Sequence, residues 1–134
     1  MFGSKLLPIV LAAVSAVTVS ATVVDKRATC VYYCGSVCYW QEDIDEAVAQ
    51  GYNYYKKGTT VGSDSYPHQY NDYEGFDFPD PAPWYEFPIL SSYNAYTGGS
   101  PGADRVIFNS AGKFQDAITH TGASGNDFVA CKAA

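Results

Sequence analysis

Four cysteines constrain this chain more than any other feature. Cys30, Cys34 and Cys38 recur at a regular spacing, and Cys131 lies close to the C-terminus. An even count in a short chain bound for an oxidising compartment implies two disulfides, and three pairings satisfy it. The compartment is read from the first residues. Lys5 precedes an apolar stretch from Leu6 to Val14, and small residues close the segment at Val19-Ser20-Ala21. This is the layout of a secretory signal peptide over residues 1–21, implying an extracellular protein. Pro8 and Ser15 interrupt the apolar run, so it does not read as a membrane anchor, and no later stretch could span a bilayer. Lys26-Arg27 then offers a dibasic processing site, which makes 22–27 a short propeptide and Ala28 the mature N-terminus. A metal site on the same cysteines is the rival reading. Secretion oxidises thiols and the two histidines are remote in sequence, so no metal and no cofactor is expected. Residues 28–134 make one domain with a modest core, and a bridge to Cys131 would tie its two ends together.

Charge narrows the partners. The whole chain carries −6. Lys5, Asp25, Lys26 and Arg27 fall in the removed part, so residues 28–134 carry −8, from 5 basic and 13 acidic side chains. Phosphate-driven binding of nucleic acid needs a basic surface, and this composition supplies none. Any contact with nucleic acid must be local and read through a base.

One helix is expected, from Glu42 to Tyr55. Ile44, Ala47 and Val48 recur at helical spacing. Glu42, Asp43, Asp45 and Glu46 crowd the first turns, where they suit the helix dipole, and Lys56-Lys57 followed by Gly58 marks the stop. Turn residues dominate beyond Gly58. Between them lie four strand candidates, Trp84–Leu90, Ala103–Asn109, Phe114–Thr121 and Phe128–Cys131. Short consecutive strands argue for an antiparallel sheet, and one helix packed on a central twisted antiparallel sheet gives an α+β domain. Twelve Tyr and seven Phe suit a small core built with aromatics, or surfaces on which rings stack.

Three charged groups stand inside apolar strands: Glu86, Arg105 and His120. Each alone is best read as a paired structural residue, because burying an unpaired charge is costly. Three on three candidate strands project into one patch if they share a face of the sheet. A carboxylate, a guanidinium and an imidazole there form an acid–base pair with an anion clamp. The set suits phosphoryl transfer in RNA, which carries its own nucleophile in the 2′-hydroxyl, and DNA should not react. The Gly-rich stretches at 98–102 and 122–125 lack the Lys-Ser/Thr of a phosphate-cradling loop and read as ordinary loops.

Several ordered blocks now stand together: Cys34-Gly35-Ser36, Ser65-Tyr66-Pro67-His68, and the run from Tyr70 through Asn71-Asp72-Tyr73-Glu74 to Asp77. Tyr85 to Ser92, Gly98 to Phe108 and Ile118 to Asn126 continue them. With these blocks the chain resembles the fungal guanyl-specific ribonucleases of the ribonuclease T-one type, from Cys30 to Cys131. The resemblance implies cleavage of single-stranded RNA after guanosine, through a 2′,3′-cyclic phosphate, and a monomer is the default expectation. It implies Glu86 as general base, His120 as general acid and His68 beside Glu86, with Tyr66, Arg105 and Phe128 lining the phosphate site. Guanine would be held by Tyr70, Asn71, Asp72, Tyr73 and Glu74, with Asn126. The chemistry agrees, since the guanine N1–H and N2–H donors suit one carboxylate and its N7 and O6 suit backbone N–H groups. Tyr70 and Tyr73 would sandwich the ring. The resemblance also selects Cys30–Cys38 and Cys34–Cys131 as the bridges and implies cis peptide bonds before Pro67 and Pro83. Two positions depart from the family pattern: Asp72 replaces the second residue of an Asn-Asn pair, and Gln69 replaces a common basic residue. A ribotoxin with long basic loops and a catalytically silent secreted effector are the alternatives. The first conflicts with the short acidic chain, and the second with the retention of Glu86, His120, Arg105 and His68.

Overall fold

The structure, a computed structural model, describes residues 29–134. The expected signal peptide and propeptide lie outside the described residues.

A hairpin opens the fold, with β1 at Tyr32–Cys34 paired to β2 at Val37–Tyr39. The helix follows as α1, Gln41–Lys57, slightly longer at both ends than expected. At its start the Asp43 carboxylate accepts the Trp40 N–H at 2.9 Å, satisfying a donor that the helix leaves free. At its end Gly58 adopts φ 69°, a left-handed conformation that Gly takes without a Cβ penalty. The chain continues through β3 (His68–Tyr70), β4 (Trp84–Pro88), β5 (Asp104–Asn109), β6 (Phe114–Thr119), β7 (Val129–Ala130) and β8 (Lys132–Ala133). The described residues thus hold two antiparallel sheets where one was expected. Five strands run in the order β3-β4-β5-β6-β7, and a smaller sheet runs β2-β1-β8. Of the expected last strand, Phe128–Cys131, only Val129–Ala130 pairs in the larger sheet, and Cys131 separates it from β8 in the smaller one. Cys131 is bonded to Cys34, and Cys30–Cys38 closes the first hairpin. Both pairs match those the resemblance selects, and the peptides before Pro67 and Pro83 are cis.

Period-two alternation decides what each face of the larger sheet carries. Phe87, Val106, Phe108 and Ala117 point to one side, where they form the main core with Ile44, Ala47 and Val48 of α1. The helix approaches closely at Gly51, where an added Cβ would meet the Phe87 and Phe108 rings at 2.8–2.9 Å. Asp104 is buried on the same side, its charge met by the hydroxyls of Tyr39 at 2.5 Å and Thr119 at 2.6 Å. Ile107 and Ile118 point to the other side and form a second cluster with Tyr70 and Phe78. That second face carries the polar patch.

Candidate active site

Register brings the charged strand residues together. His68 pairs directly with Glu86 across β3–β4, and Arg105 pairs with Pro88, two residues on from Glu86. Cross-strand partners share a face, as do residues two apart on one strand, so all three side chains emerge on the same side. His120 follows the end of β6, two residues beyond Ile118, the partner of Arg105.

Glu86 is 7% exposed and lies between two cations. Its Oε1 is 2.9 Å from His68 Nε2, and its Oε2 is 3.2 Å from Arg105 Nε, whose N–H is not aligned for a hydrogen bond. His68 Nδ1 lies 3.0 Å from the Asp64 carbonyl. A carbonyl only accepts, so Nδ1 carries a hydrogen, and a protonated ring donates from Nε2 to Glu86 as well. Both bonds favour the imidazolium. The hydrogen bond to Glu86, the largest influence, lifts the His68 pKa above its ordinary value against the opposing effect of burial. Arg105 is 3% exposed and held from several sides. Nη1 donates to the carbonyls of Gly102 and Asp104, each at 2.9 Å, and Nη2 donates to the Tyr66 hydroxyl at 3.0 Å. Its position is therefore set by the protein. The Tyr66 ring stacks on His68 with centroids 4.7 Å apart.

His120 faces this group across a cavity of about 530 Å³, which Asn126 and Phe128 also line. Its Nδ1 lies 2.8 Å from the Asp127 carbonyl and so carries a hydrogen, leaving Nε2 as the free edge. Phe128 stacks on the ring at 3.9 Å, which fixes its plane.

A second cavity of about 290 Å³ adjoins the first through Glu86, Asn126 and Phe128. Gln69, Tyr70, Asn71, Tyr73, Glu74 and Asp127 form the rest of its wall. Glu74 Oε1 accepts from the Tyr70 hydroxyl, and Oε2 accepts the Phe128 N–H at 2.9 Å. Burial alone would raise the Glu74 pKa, but the Tyr70 hydroxyl and the Phe128 N–H outweigh it and hold the carboxyl below its ordinary range. Each oxygen keeps the capacity to accept a further hydrogen bond. Tyr70 is buried as a wall, whereas Tyr73 is 90% exposed at the rim. The two rings expected to sandwich a base are therefore not closed on each other.

The sequence profile of the ribonuclease family matches residues 27–132. Guanyl-specific ribonuclease N1 of Neurospora crassa is 67% identical over 102 residues, which are 76% of this chain and 67% of that protein. Guanyl-specific ribonuclease T1 of Aspergillus oryzae is 60% identical over 102 residues, 76% of this chain and 78% of that protein. This chain belongs to the fungal guanyl-specific ribonuclease family. Among solved structures, a ribonuclease from Hericium erinaceus (RNase He1) shares the fold with a TM-score of 0.56 at 38% identity, covering 75% of this chain and 96% of that one.

Within this guanyl-specific ribonuclease family member, the two departures have visible settings. Asp72 sits at φ 54° and shapes its own loop, its Oδ1 accepting the Phe76 N–H at 2.7 Å and its carbonyl accepting the Gly75 N–H at 3.1 Å. Gln69 lines the smaller cavity as a neutral side chain. The main-chain carbonyls of Asp64 and Asp127, which orient the two histidines, were not anticipated. Backbone acceptors leave no signature in residue type, so no sequence signal would have found them.

Proposed function

We propose that this protein is a secreted, monomeric endoribonuclease that cuts single-stranded RNA on the 3′ side of guanosine. The observation that carries the reading is the place of Glu86, between His68 and Arg105 and on the border of both cavities. A guanine in the smaller cavity would offer N1–H and N2–H to Glu74 and would bring its own ribose and phosphate over Glu86.

Glu86 takes the proton of the 2′-hydroxyl as that oxygen attacks phosphorus. The P–O5′ bond breaks, and His120 gives its Nε2 proton to the departing 5′-oxygen, leaving a 2′,3′-cyclic phosphate. Water then opens the ring, with neutral His120 as base and Glu86 returning a proton to the 2′-oxygen, to give the 3′-phosphate. Arg105 stabilises the charge that builds on the phosphate and, being already held, needs no reorganisation during reaction. His68 acts as a cation that fixes Glu86. Its hydrogen bonds at both ring nitrogens and the pKa raised by Glu86 favour the protonated ring, which has no lone pair to take a further proton, so the base is the carboxylate beside it. The two disulfides suit an oxidising compartment, which supports export after removal of residues 1–27.

Glu86→Gln combined with His120→Ala tests the assignment. Each group supplies about 10²–10⁴-fold in rate, so cleavage of a guanosine dinucleotide should disappear while guanosine monophosphate still binds. Retained cleavage would overturn the roles given to both residues.

A further inference from the structure

We infer that Asp80 is a positioning residue for base recognition, tying the far end of the base-pocket segment to the strands that lead to Glu86 and His120. The inference rests on the reading of the smaller cavity as a guanine site.

Residues 71–83 leave the sheet after Tyr70 and rejoin it at Trp84. The first part of this segment carries Asn71, Tyr73 and Glu74, and its return runs through Phe76 and Phe78, whose rings both meet Tyr70. A long irregular segment is held to one shape only where its backbone and side chains are bonded to something rigid. Asp80 supplies such a point. Its N–H donates to Gln115 Oε1 at 2.9 Å, and Gln115 Nε2 donates back to Asp80 Oδ2 at 2.9 Å. The same oxygen accepts from Asn109 Nδ2 at 3.2 Å and lies 3.5 Å from Lys113 Nζ. The Asp80 carbonyl accepts the Trp84 Nε1–H at 2.9 Å.

Three of these partners, Trp84, Asn109 and Gln115, lie on the strands β4, β5 and β6, and Lys113 lies in the turn between β5 and β6. Gln115 is 6% exposed, on β6, whose far end leads to His120. Trp84 opens β4 two residues before Glu86. From Trp84 the contact runs inward through rings. Trp84 meets Phe78 edge-on at 4.9 Å, Phe78 meets Tyr70 at 6.1 Å, and the Tyr70 hydroxyl bonds Glu74. The hydrogen bond from Gln115, and less so the Lys113 ammonium, lowers the Asp80 pKa from its ordinary value. Among the described residues, the partners of Asp80 do not include His68, Glu86, Arg105 or His120.

The consequence is a particular kinetic signature. Base contacts are made in the ground state and the transition state alike, so loosening them raises KM and leaves kcat. A residue that merely held the fold together would lower melting temperature and depress turnover of every substrate equally.

The test compares wild type, Asp80→Ala and Asp80→Asn on the dinucleotides GpC and ApC, below the melting temperature of each. Asp80→Ala should raise KM for GpC about three- to tenfold with kcat unchanged, and should lower the G-over-A ratio of kcat/KM by the same factor. Asp80→Asn keeps an acceptor oxygen for Gln115 and Asn109 and should restore most of both. If Asp80→Ala does not fold, Gln115→Met removes both bonds between Gln115 and Asp80 from the strand side and is read in the same way. Unchanged KM, or equal losses on GpC and ApC, beside a G-specific wild type would sink this inference alone. A wild type with no preference for G would sink the guanine reading of the pocket, and this inference with it.

Discussion

Glu86 is an acidic side chain in the middle of Tyr85-Glu86-Phe87-Pro88, and its neighbours in space explain why it can be there. His68 and Arg105 offset the cost of burying its charge, and the arrangement that stabilises the carboxylate also presents it to a cavity. The pair leaves a mark on stability that pH reveals. The His68 pKa is raised in the folded protein, so its contribution is complete below the unfolded value of about 6.5 and is lost as pH rises through the folded value. His68→Gln should therefore be less stable than wild type in mildly acidic buffer, and the gap should narrow as the pH is raised. Urea melts across that range check it, and a gap that widened with pH would contradict the pairing. His68 is 38% exposed, so solvent screening keeps the effect modest. At this scale the charged positions were legible because Glu86, Arg105 and His120 break apolar runs. The orientation of the histidines was not legible, because it depends on the carbonyls of Asp64 and Asp127. The Asp80 anchor was equally hidden, since Asp80 sits among turn residues that need no further explanation and Gln115 is an ordinary polar residue in a strand pattern.

Elements convert those residues into a site through strict alternation. On β4, Tyr85 and Phe87 pack toward α1 while Trp84, Glu86 and Pro88 take the opposite face. Sliding this strand by one residue would bury Phe87 in the site and expel Glu86 from it. The helix is pressed against the back of β4 and β5 at Gly51, which makes that glycine a sensitive point. Alanine there gains about 1 kcal/mol in helix propensity but drives a Cβ to 2.8–2.9 Å from the Phe87 and Phe108 rings, an overpacking cost of about 1–3 kcal/mol. Gly51→Ala should lower the melting temperature by several degrees, and a rise in calorimetry would contradict the close approach. The helix and the strands β4, β5 and β6 were readable because each spans enough residues for its period to show. The strands β1, β2 and β3 have only three residues each, too few for alternation to register, and they exist through their partners. Hence the smaller sheet escaped the sequence, although two of its strands contain cysteines that the sequence makes conspicuous.

The whole molecule sets a substrate problem, since a domain of charge −8 has to engage a polyanion. Its solution is local. On the proposed reading, Arg105 and His120 at the larger cavity would face one phosphate, while the smaller cavity beside it would provide specificity without a basic track along the backbone. Selection therefore rests on one nucleotide, and the cut should follow it in any unpaired context. The most direct measurement is the product ladder of wild-type protein on an end-labelled RNA of mixed sequence, with EDTA present throughout. The account predicts cuts after G alone, with fragments ending in a guanosine 2′,3′-cyclic phosphate that passes to the 3′-phosphate. Cuts spread over all four nucleotides, or a reaction abolished by EDTA, would contradict it.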